Sequence, residues 1–266
     1  MVAVKRHRPS RAPYLPRRLG DAFRRPIAHR GLHDIRAGLI ENTAPAFRAA
    51  IESGYGIECD LQAAGDGVPM VFHDAKLERL MDAAGPLTAY SGKELGRLRY
   101  LHSEERMLSF SELLRLVDGA VPLLVEVKSK GRLPTPGFIP QIAARARAYK
   151  GPIALMSFDR RIVAGLIEQA PTVPCGTVIG SQQYLSGLWR RPRKLRDAGA
   201  FPRMFGGAPD GISFLAVDIR LAAVARRWLT RHRLDLPLFA WTVRTSRQRA
   251  AAARWADAPI FEACAP

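Results

Sequence analysis

The chain has 266 residues, a formal net charge of +17 and an apolar fraction of 47%. This composition excludes disordered and fibrous proteins, and no apolar run approaches the roughly 20 residues that a membrane-spanning helix requires. The three cysteines are widely spaced and form no CxxC pair, which argues against a disulfide framework or a zinc knuckle. We therefore expect a globular protein of a reducing compartment, cytoplasmic and either soluble or peripheral to a membrane.

Arginine supplies most of the positive charge and is concentrated in three segments, residues 1–25, 190–196 and 226–233. Such a surface attracts anions, among them acidic lipid headgroups, phosphorylated small molecules and nucleic acid. An arginine-rich surface that is merely solvated and binds no partner is an equally good interpretation. Nucleic acid is disfavoured as a partner because the sequence contains no known nucleic-acid-binding module. Residues 1–25 also lack the apolar segment of a secretory signal, so we interpret them as a basic extension before a domain covering 26–266.

Short apolar runs alternate with helical patterns along the chain. The predicted strands cover residues 26–28, 56–61, 69–72, 122–127, 152–157, 176–179, 211–217 and 236–243. The predicted helices cover residues 43–53, 109–117, 137–149, 159–169 and 222–231. Eight strands alternating with helices favour an α/β fold of the (β/α)₈ TIM barrel type, although an open doubly wound sheet has the same local pattern.

Two connections are longer than a strand-to-helix loop normally needs. Residues 75–108 follow the third predicted strand, and we interpret them as a small insertion or lid above the barrel mouth. Residues 180–209 form a second long connection that is basic and rich in Gly and Pro.

Polar residues stand at the ends of four predicted strands. The first ends at His29 and Arg30, the second carries Glu58 and Asp60, the third ends at His73, and the fourth carries Glu126 and Lys128. The carboxyl ends of parallel barrel strands open on one face, so we expect these side chains to converge there. Their spread over several strands favours a barrel over an open sheet, which would gather them at one switch point.

The carboxylates of this set predict a metal site. Glu58 and Asp60 are two residues apart on a strand and point to the same face, about 7 Å from each other. Together with Glu126 they would repel one another unless a cation lies among them, and oxygen ligands favour Mg²⁺ or Ca²⁺ over zinc. The alternative is that these carboxylates simply pair with arginines.

The remaining polar residues suit a phosphodiester. His29 and His73 could bracket the carboxylates and share acid and base roles, one taking a proton and the other returning one. Arg30 and Lys128 would place permanent positive charge beside the developing negative charge of a phosphoryl group. The pattern therefore indicates a metal-dependent hydrolytic site.

Nine short motifs occur together and in order from about residue 26 to the C-terminus. They are His29-Arg30-Gly31, Glu41-Asn42-Thr43, Ala46-Phe47, Glu58-Cys59-Asp60-Leu61-Gln62, Asp66-Gly67, His73-Asp74, Glu126-Val127-Lys128, Ser157-Phe158 and Trp241-Thr242-Val243. This set resembles the glycerophosphodiester phosphodiesterase family.

The resemblance implies a (β/α)₈ barrel that hydrolyses a glycerophosphodiester to glycerol 3-phosphate and an alcohol. It implies a divalent metal held by Glu58, Asp60 and Glu126, and acid-base catalysis by His29 and His73. It further implies that Arg30 and Lys128 bind the phosphate and that Trp241 forms an apolar wall for the glycerol or leaving group. Internal attack by the glycerol 2-hydroxyl is favoured over direct attack by water.

Three segments depart from the family's pattern. Residues 64–67 and 77–82 lack its usual threonines, and residues 256–262 replace its Gly-x-x-Thr-Asp ending. Because these segments border the mouth, the identity of the alcohol in the substrate is not determined by the resemblance. The choice of metal and the oligomeric state are also left open. Two alternatives also stay open: a lysophospholipase D-type activity at an anionic membrane, and a catalytically silent barrel that binds anionic lipid or nucleic acid.

Overall fold

The computed structural model of the protein describes residues 19–129, 135–180 and 208–263. The helices are α1 Ala44–Glu52, α2 Gly92–Leu95, α3 Phe110–Val117, α4 Phe138–Ala148, α5 Arg160–Gln169, α6 Ala222–Arg231 and α7 Ser246–Trp255. The strands are β1 Ile27–His29, β2 Gly56–Ala63, β3 Pro69–Val71, β4 Leu123–Val127, β5 Ile153–Ser157, β6 Cys175–Ile179, β7 Phe214–Asp218, β8 Leu238–Val243 and β9 Ala258–Phe261. Expectations about residues 1–18, about 181–207 of the second long connection, and about Cys264 lie outside the described residues.

Eight parallel strands close into a barrel. Around the barrel the order is β1, β9, β8, β7, β6, β5, β4 and β2, and β1 pairs with β2 to complete the ring. Where the connections are described, helices separate successive barrel strands and cover the outer face; α5, for example, packs against α4, β5 and β6. The predicted (β/α)₈ class is confirmed, while the identity of two strands differs from the prediction.

The third predicted strand is not a barrel strand. β3 runs antiparallel to β2, with Val71 opposite Leu61 and Pro69 opposite Ala63. The connection of residues 64–68 turns through Gly67, which has a φ of +78°, and is too short for the crossover that two parallel strands require. β3 therefore folds back over the mouth as the second strand of a hairpin.

The eighth barrel strand is β9, which the sequence pattern did not reveal. Its four residues include Pro259, a residue that weakens a strand signal. The helix before it, α7, was also missed because its only buried residue is Ala252, so no bulky apolar periodicity marks it. A capping box between Thr245 and Gln248 starts this helix.

The barrel interior consists of apolar layers beneath a polar top layer. Alternate residues of each strand point inward, so Ile27 lies below His29, Leu124 below Glu126, and Phe239 below Trp241. At the lower end, Phe23 joins this inner core and is 3% exposed. The site residues therefore continue the two-residue period of the packed core.

The inserted segment has a small apolar core of its own. Leu77, Leu95 and Tyr100 are fully or almost fully buried and pack with Met70 of β3 and with Ala64. α2 belongs to this segment and begins with a capping box at Ser91 and Glu94. No helix in the described ranges has both the length and the apolar character needed to cross a bilayer.

Candidate active site

A cavity of about 410 Å³ opens at the carboxyl ends of the strands. Seven of the eight predicted site residues line it: His29, Arg30, Glu58, His73, Glu126, Lys128 and Trp241. The eighth, Asp60, is fully buried and lies beneath Lys128 and Arg30, with an oxygen 2.8 Å from Lys128 Nζ. The structure thus brings together all the residues that the sequence analysis singled out.

A tight turn after β1 places the Arg30 guanidinium over the carboxylates. Arg30 has a φ of +58°, and Gly31 follows with a φ of +79°. A Cβ at Gly31 would lie 2.9 Å from the carbonyl carbon of Ala46 in α1, so this position requires glycine. The Arg30 backbone N–H donates to Glu58 Oε2 at 3.1 Å, and its side-chain Nε lies 3.2 Å from Asp60 Oδ2.

Glu58, Asp60 and Glu126 form a buried carboxylate cluster. Each offers an oxygen within 4.8 Å of the others, and none of the three residues is more than 6% exposed. Lys128 Nζ lies between Asp60 Oδ1, at 2.8 Å, and Glu126 Oε1, at 2.7 Å. Asn42 Nδ2 donates to the second oxygen of Asp60 at 2.9 Å, which holds that carboxylate in place.

The electrostatics of the cluster are unbalanced. Burial raises the pKa of Glu58 well above its ordinary value, and the charges of Asp60 and Glu126 raise it further. Burial also raises the pKa of Glu126 against the opposing effect of Lys128. For Asp60, Lys128 and Arg30 outweigh burial and lower the pKa. Three carboxylates therefore face two permanent cations, Arg30 and Lys128, and the charged form of Glu58 is disfavoured.

The cluster fits a hard divalent cation. Its donors are all carboxylate oxygens, which is the ligand type that Mg²⁺ and Ca²⁺ prefer. Glu58 Oε1 is buried and has no hydrogen-bond partner among the described residues, a costly state for a carboxylate oxygen unless something binds it. Glu58, Asp60 and Glu126 are thus the residues that could hold a metal ion here.

His29 lies between two carboxylates. Its Nδ1 is hydrogen-bonded to Glu262, and its Nε2 lies 3.7 Å from Glu58 Oε2 at the cavity wall. Burial lowers the pKa of His29, and the hydrogen bond that His29 donates to Glu262 opposes that shift. His33 also approaches Glu262, with Nε2 3.9 Å away.

His73 reaches the cavity by a different route from the one expected. It follows the antiparallel β3, and the backbone N–H of Phe72 donates to the Asp60 carbonyl at 3.0 Å. Gln62 Nε2 donates to the His73 carbonyl at 2.8 Å, and His73 Nδ1 pairs with Asp74 Oδ1 at 2.6 Å. Burial lowers the pKa of His73, while Asp60 and Asp74 act to raise it.

The rest of the cavity is an apolar wall with a charged rim. Trp241 meets Phe158 edge to face at 5.4 Å between ring centres. Other lining residues on this side are Met156, Val178, Asp218, Ile219, Arg220, Thr242, Arg244, Gln248 and Ile260. Such a wall can hold the carbon skeleton of a small ligand while the polar side holds its anion.

Several residues that support the site were not identified as functional from the sequence. Asn42 and Glu41 lay within a quoted motif without an assigned role, and the same was true of Asp74. Glu262 was missed because residues 256–262 were noted only as a departure from the family's usual ending, and no strand was predicted there. Had β9 been recognised, Glu262 would have stood directly after a strand, as Arg30 and Lys128 do.

Comparison with known proteins identifies the family of the chain. The model of the "Glycerophosphoryl diester phosphodiesterase family" matches residues 29–261. A Mycobacterium tuberculosis protein named as a probable glycerophosphodiester phosphodiesterase 1 is 26% identical over 183 residues, which are 60% of this chain and 66% of that protein. A glycerophosphodiester phosphodiesterase of Bacillus altitudinis is 40% identical over 114 residues, 40% of this chain and 45% of that protein.

A solved structure shares the fold over most of the chain. It is an Oleispira antarctica phosphodiesterase in complex with the product sn-glycerol-3-phosphate, with a TM-score of 0.66 and 19% identity. The superposition covers 89% of this chain and 92% of that one. Because the family model spans the barrel from His29 at the end of β1 to Phe261 at the end of β9, this chain belongs to the glycerophosphoryl diester phosphodiesterase family.

Proposed function

We propose that this protein hydrolyses glycerophosphodiesters to glycerol 3-phosphate and an alcohol in a metal-dependent reaction. The observation that carries the proposal is the single cavity in which two histidines face a buried cluster of three carboxylates and two permanent cations. Family membership supports the same reaction, and so does the product bound by the Oleispira antarctica relative. The apolar wall around Trp241 would receive the glycerol or the alcohol.

In this proposal Glu58, Asp60 and Glu126 hold Mg²⁺ or Ca²⁺. A divalent cation bound there would supply a Lewis acid for the phosphoryl oxygens. It would also correct the local charge, because the cluster has one carboxylate more than it has cations and a phosphodiester brings one further negative charge. Arg30 and Lys128, which already lie against the cluster, would stabilise the charge that develops on the non-bridging oxygens.

His29 and His73 would move the protons of the reaction. One accepts the proton of the attacking glycerol 2-hydroxyl, and the other donates a proton to the alcohol oxygen as its P–O bond breaks. Water then attacks the cyclic phosphate, giving its proton to one histidine while the 2-oxygen takes a proton from the other, and glycerol 3-phosphate is released. Each imidazole has a carboxylate on Nδ1, Glu262 for His29 and Asp74 for His73. This arrangement leaves Nε2 for the substrate and stabilises the protonated ring, so each histidine can accept a proton and return it.

The proposal is tested by measuring glycerol 3-phosphate release from glycerophosphocholine and glycerophosphoethanolamine. Purified protein is assayed with Mg²⁺, Ca²⁺ or Mn²⁺, with a chelator, and beside the Glu58→Gln variant. We expect metal-dependent release that the variant reduces by at least about 100-fold, because the amide keeps the shape of the carboxylate but loses its charge. Circular dichroism of the variant checks that the fold is retained.

Other outcomes would point to the alternatives. Turnover of a lysophospholipid without release from either diester would favour the lysophospholipase D-type activity. The absence of turnover with every substrate and every metal would favour a protein that binds its ligand without hydrolysing it. Loss of folding in Glu58→Gln would mean that the cluster is a structural ion-pair network.

We further propose that the enzyme contacts anionic membrane surfaces through the outer face of α6 and α7. These helices carry six arginines and no acidic residue. Arg227 and Arg254 both stack on Trp255, at 5.0 and 4.8 Å from the ring centre. Arginines beside a tryptophan suit the headgroup layer of an anionic bilayer, where each basic residue contributes about 1 kcal/mol.

A further inference from the structure

Arg79, in the inserted segment, links two parts of the site without lining the cavity. Its guanidinium forms a fork on Glu41, with Nη1 donating to Oε2 at 3.0 Å and Nη2 donating to Oε1 at 2.7 Å. Its Nε donates to the carboxylate of Asp74. Three donors of one planar group are therefore used on two carboxylates that lie 33 residues apart in the chain.

Each of these carboxylates in turn holds a residue of the cavity. Asp74 uses Oδ1 for His73 Nδ1 and Oδ2 for Arg79. Glu41 Oε1 accepts from Arg30 Nη1 at 2.8 Å as well as from Arg79. Arg79 is thus one side chain removed from both the His73 imidazole and the Arg30 guanidinium.

These contacts restrict the rotation of side chains in and beside the cavity. The side chain of His73 is 33% exposed and that of Asp74 is 23% exposed, so water could compete for their hydrogen bond and let both rotate. Arg79 occupies the second oxygen of Asp74 and removes that freedom. On the other side, a Glu41 fixed by a two-pronged bond keeps the Arg30 guanidinium turned towards Asp60.

We propose that Arg79 is a positioning residue that holds His73 and Arg30 in fixed relation to one another across the mouth of the barrel. The proposal rests on the roles given to those two residues in the proposed function. Lysine cannot replace Arg79, because an ammonium group is a point charge and cannot offer three coplanar donors to two carboxylates. The inserted segment then contributes to catalysis through its anchoring of Arg79.

The test compares Arg79→Lys with the matched control Arg99→Lys. Arg99 belongs to the same inserted segment and pairs with Glu104 at 2.7 Å, at a similar exposure of 51% against 47% for Arg79. We expect Arg79→Lys to lower kcat for diester hydrolysis by about 10- to 100-fold, as loss of an outer positioning contact typically does, with a small change in KM. Arg99→Lys should retain the wild-type kcat.

Chemical rescue separates positioning from folding. Arg79 is about half exposed, so truncation in Arg79→Ala leaves a gap that solvent can enter. Guanidinium at millimolar concentration should restore part of the lost kcat in Arg79→Ala and none in His73→Ala. A kcat of Arg79→Lys within twofold of wild type would overturn the proposal, and so would equal losses in Arg79→Lys and Arg99→Lys accompanied by equal drops in Tm.

A second readout does not depend on turnover. The Nδ1–H proton of His73, assigned by its disappearance in His73→Asn, should give a slowly exchanging downfield NMR signal in the wild type. That signal should broaden or vanish in Arg79→Lys and persist in Arg99→Lys. Persistence of the signal in Arg79→Lys would refute the positioning role even if the wild type hydrolysed no diester. If the wild type hydrolysed no diester but the signal were lost in Arg79→Lys, the proposed reaction would be refuted and the positioning role supported.

Discussion

At the scale of single residues, the cavity is built from charged groups whose partners come from distant parts of the chain. His29 illustrates this, because its Nδ1 partner, Glu262, lies 233 residues away. Glu262 is itself held by Arg244, whose Nε donates to Oε2 at 2.6 Å. Burial alone would raise the pKa of Glu262, but its hydrogen bonds with His29 and Arg244 outweigh burial and lower that pKa, so Glu262 stays ionised beside the imidazole.

We predict that Glu262→Gln lowers kcat by about 100-fold and changes KM little, since an amide no longer stabilises a protonated His29. Steady-state kinetics on a diester substrate measures both constants. Asp257→Asn is the control, because Asp257 precedes β9 and pairs with Arg226 away from the cavity. A Glu262→Gln enzyme with wild-type kcat would show that His29 does not need this partner.

At the scale of secondary-structure elements, single residues mark where a strand ends and the next helix begins. Asp159 ends the β5 segment and caps α5, accepting from the Arg161 backbone N–H at 2.9 Å. It also accepts from Ser129 Oγ at 2.7 Å and pairs with the Arg161 side chain at 2.7 Å. The hydrogen bonds from Arg161 and Ser129 lower the pKa of Asp159 despite the opposing effect of burial.

We predict that Asp159→Ala lowers the free energy of unfolding at pH 7 by about 1 kcal/mol, the usual cost of losing a helix cap. A carboxyl group with a lowered pKa in the folded state stabilises the protein above its unfolded pKa of about 3.9. The difference between wild type and variant should therefore be complete at pH 6 to 7 and shrink as the pH falls below about 4.

Urea unfolding at several pH values measures this difference. Asp159→Asn separates the two contributions, since the amide keeps an acceptor for the cap but has no charge to titrate. A stability difference for Asp159→Ala that did not vary with pH would show that the ionised carboxylate adds nothing beyond the cap.

At the scale of the whole molecule, charge is distributed unevenly around the barrel. Arginines near the cavity, such as Arg30, Arg79 and Arg244, are paired with carboxylates. On the face formed by α6 and α7, Arg227 and Arg254 instead stack on Trp255, and neither has a carboxylate within ion-pair distance among the described residues. An excess of positive charge thus remains on that outer face.

We predict that the double variant Arg227→Gln/Arg254→Gln weakens binding to vesicles containing phosphatidylserine by roughly 30-fold at low salt, from about 1 kcal/mol per residue. Cosedimentation with anionic and with neutral vesicles measures the binding. The control Arg48→Gln/Arg147→Gln removes the same charge from exposed positions on α1 and α4. Equal weakening in both would mean that net charge acts without a defined face.

How much of the protein can be predicted from its sequence depends on how far apart in the chain the interacting residues lie. The alternation of apolar runs with helical patterns, the capping residues Ser109 and Asp159, and the polar residues at strand ends are local signals. They predict the barrel class and bring the cavity residues from His29 to Lys128 to one face, whereas the place of Trp241 was predicted only from the family resemblance. Local patterns failed for β3 and β9, because strand direction depends on which strands pair and not on the composition of either one.

The sequence by itself determined that this chain forms a (β/α)₈ barrel with carboxylates, histidines and cations at its mouth, because a two-residue period places alternate side chains inward whatever their partners. Only the tertiary structure decided which of these groups touch. Closure of β9 against β1 brings Glu262 to His29, and the fold of the inserted segment brings Arg79 to Asp74 and Glu41. These contacts join residues far apart in the chain, and the packing that creates them leaves no periodic trace in the sequence.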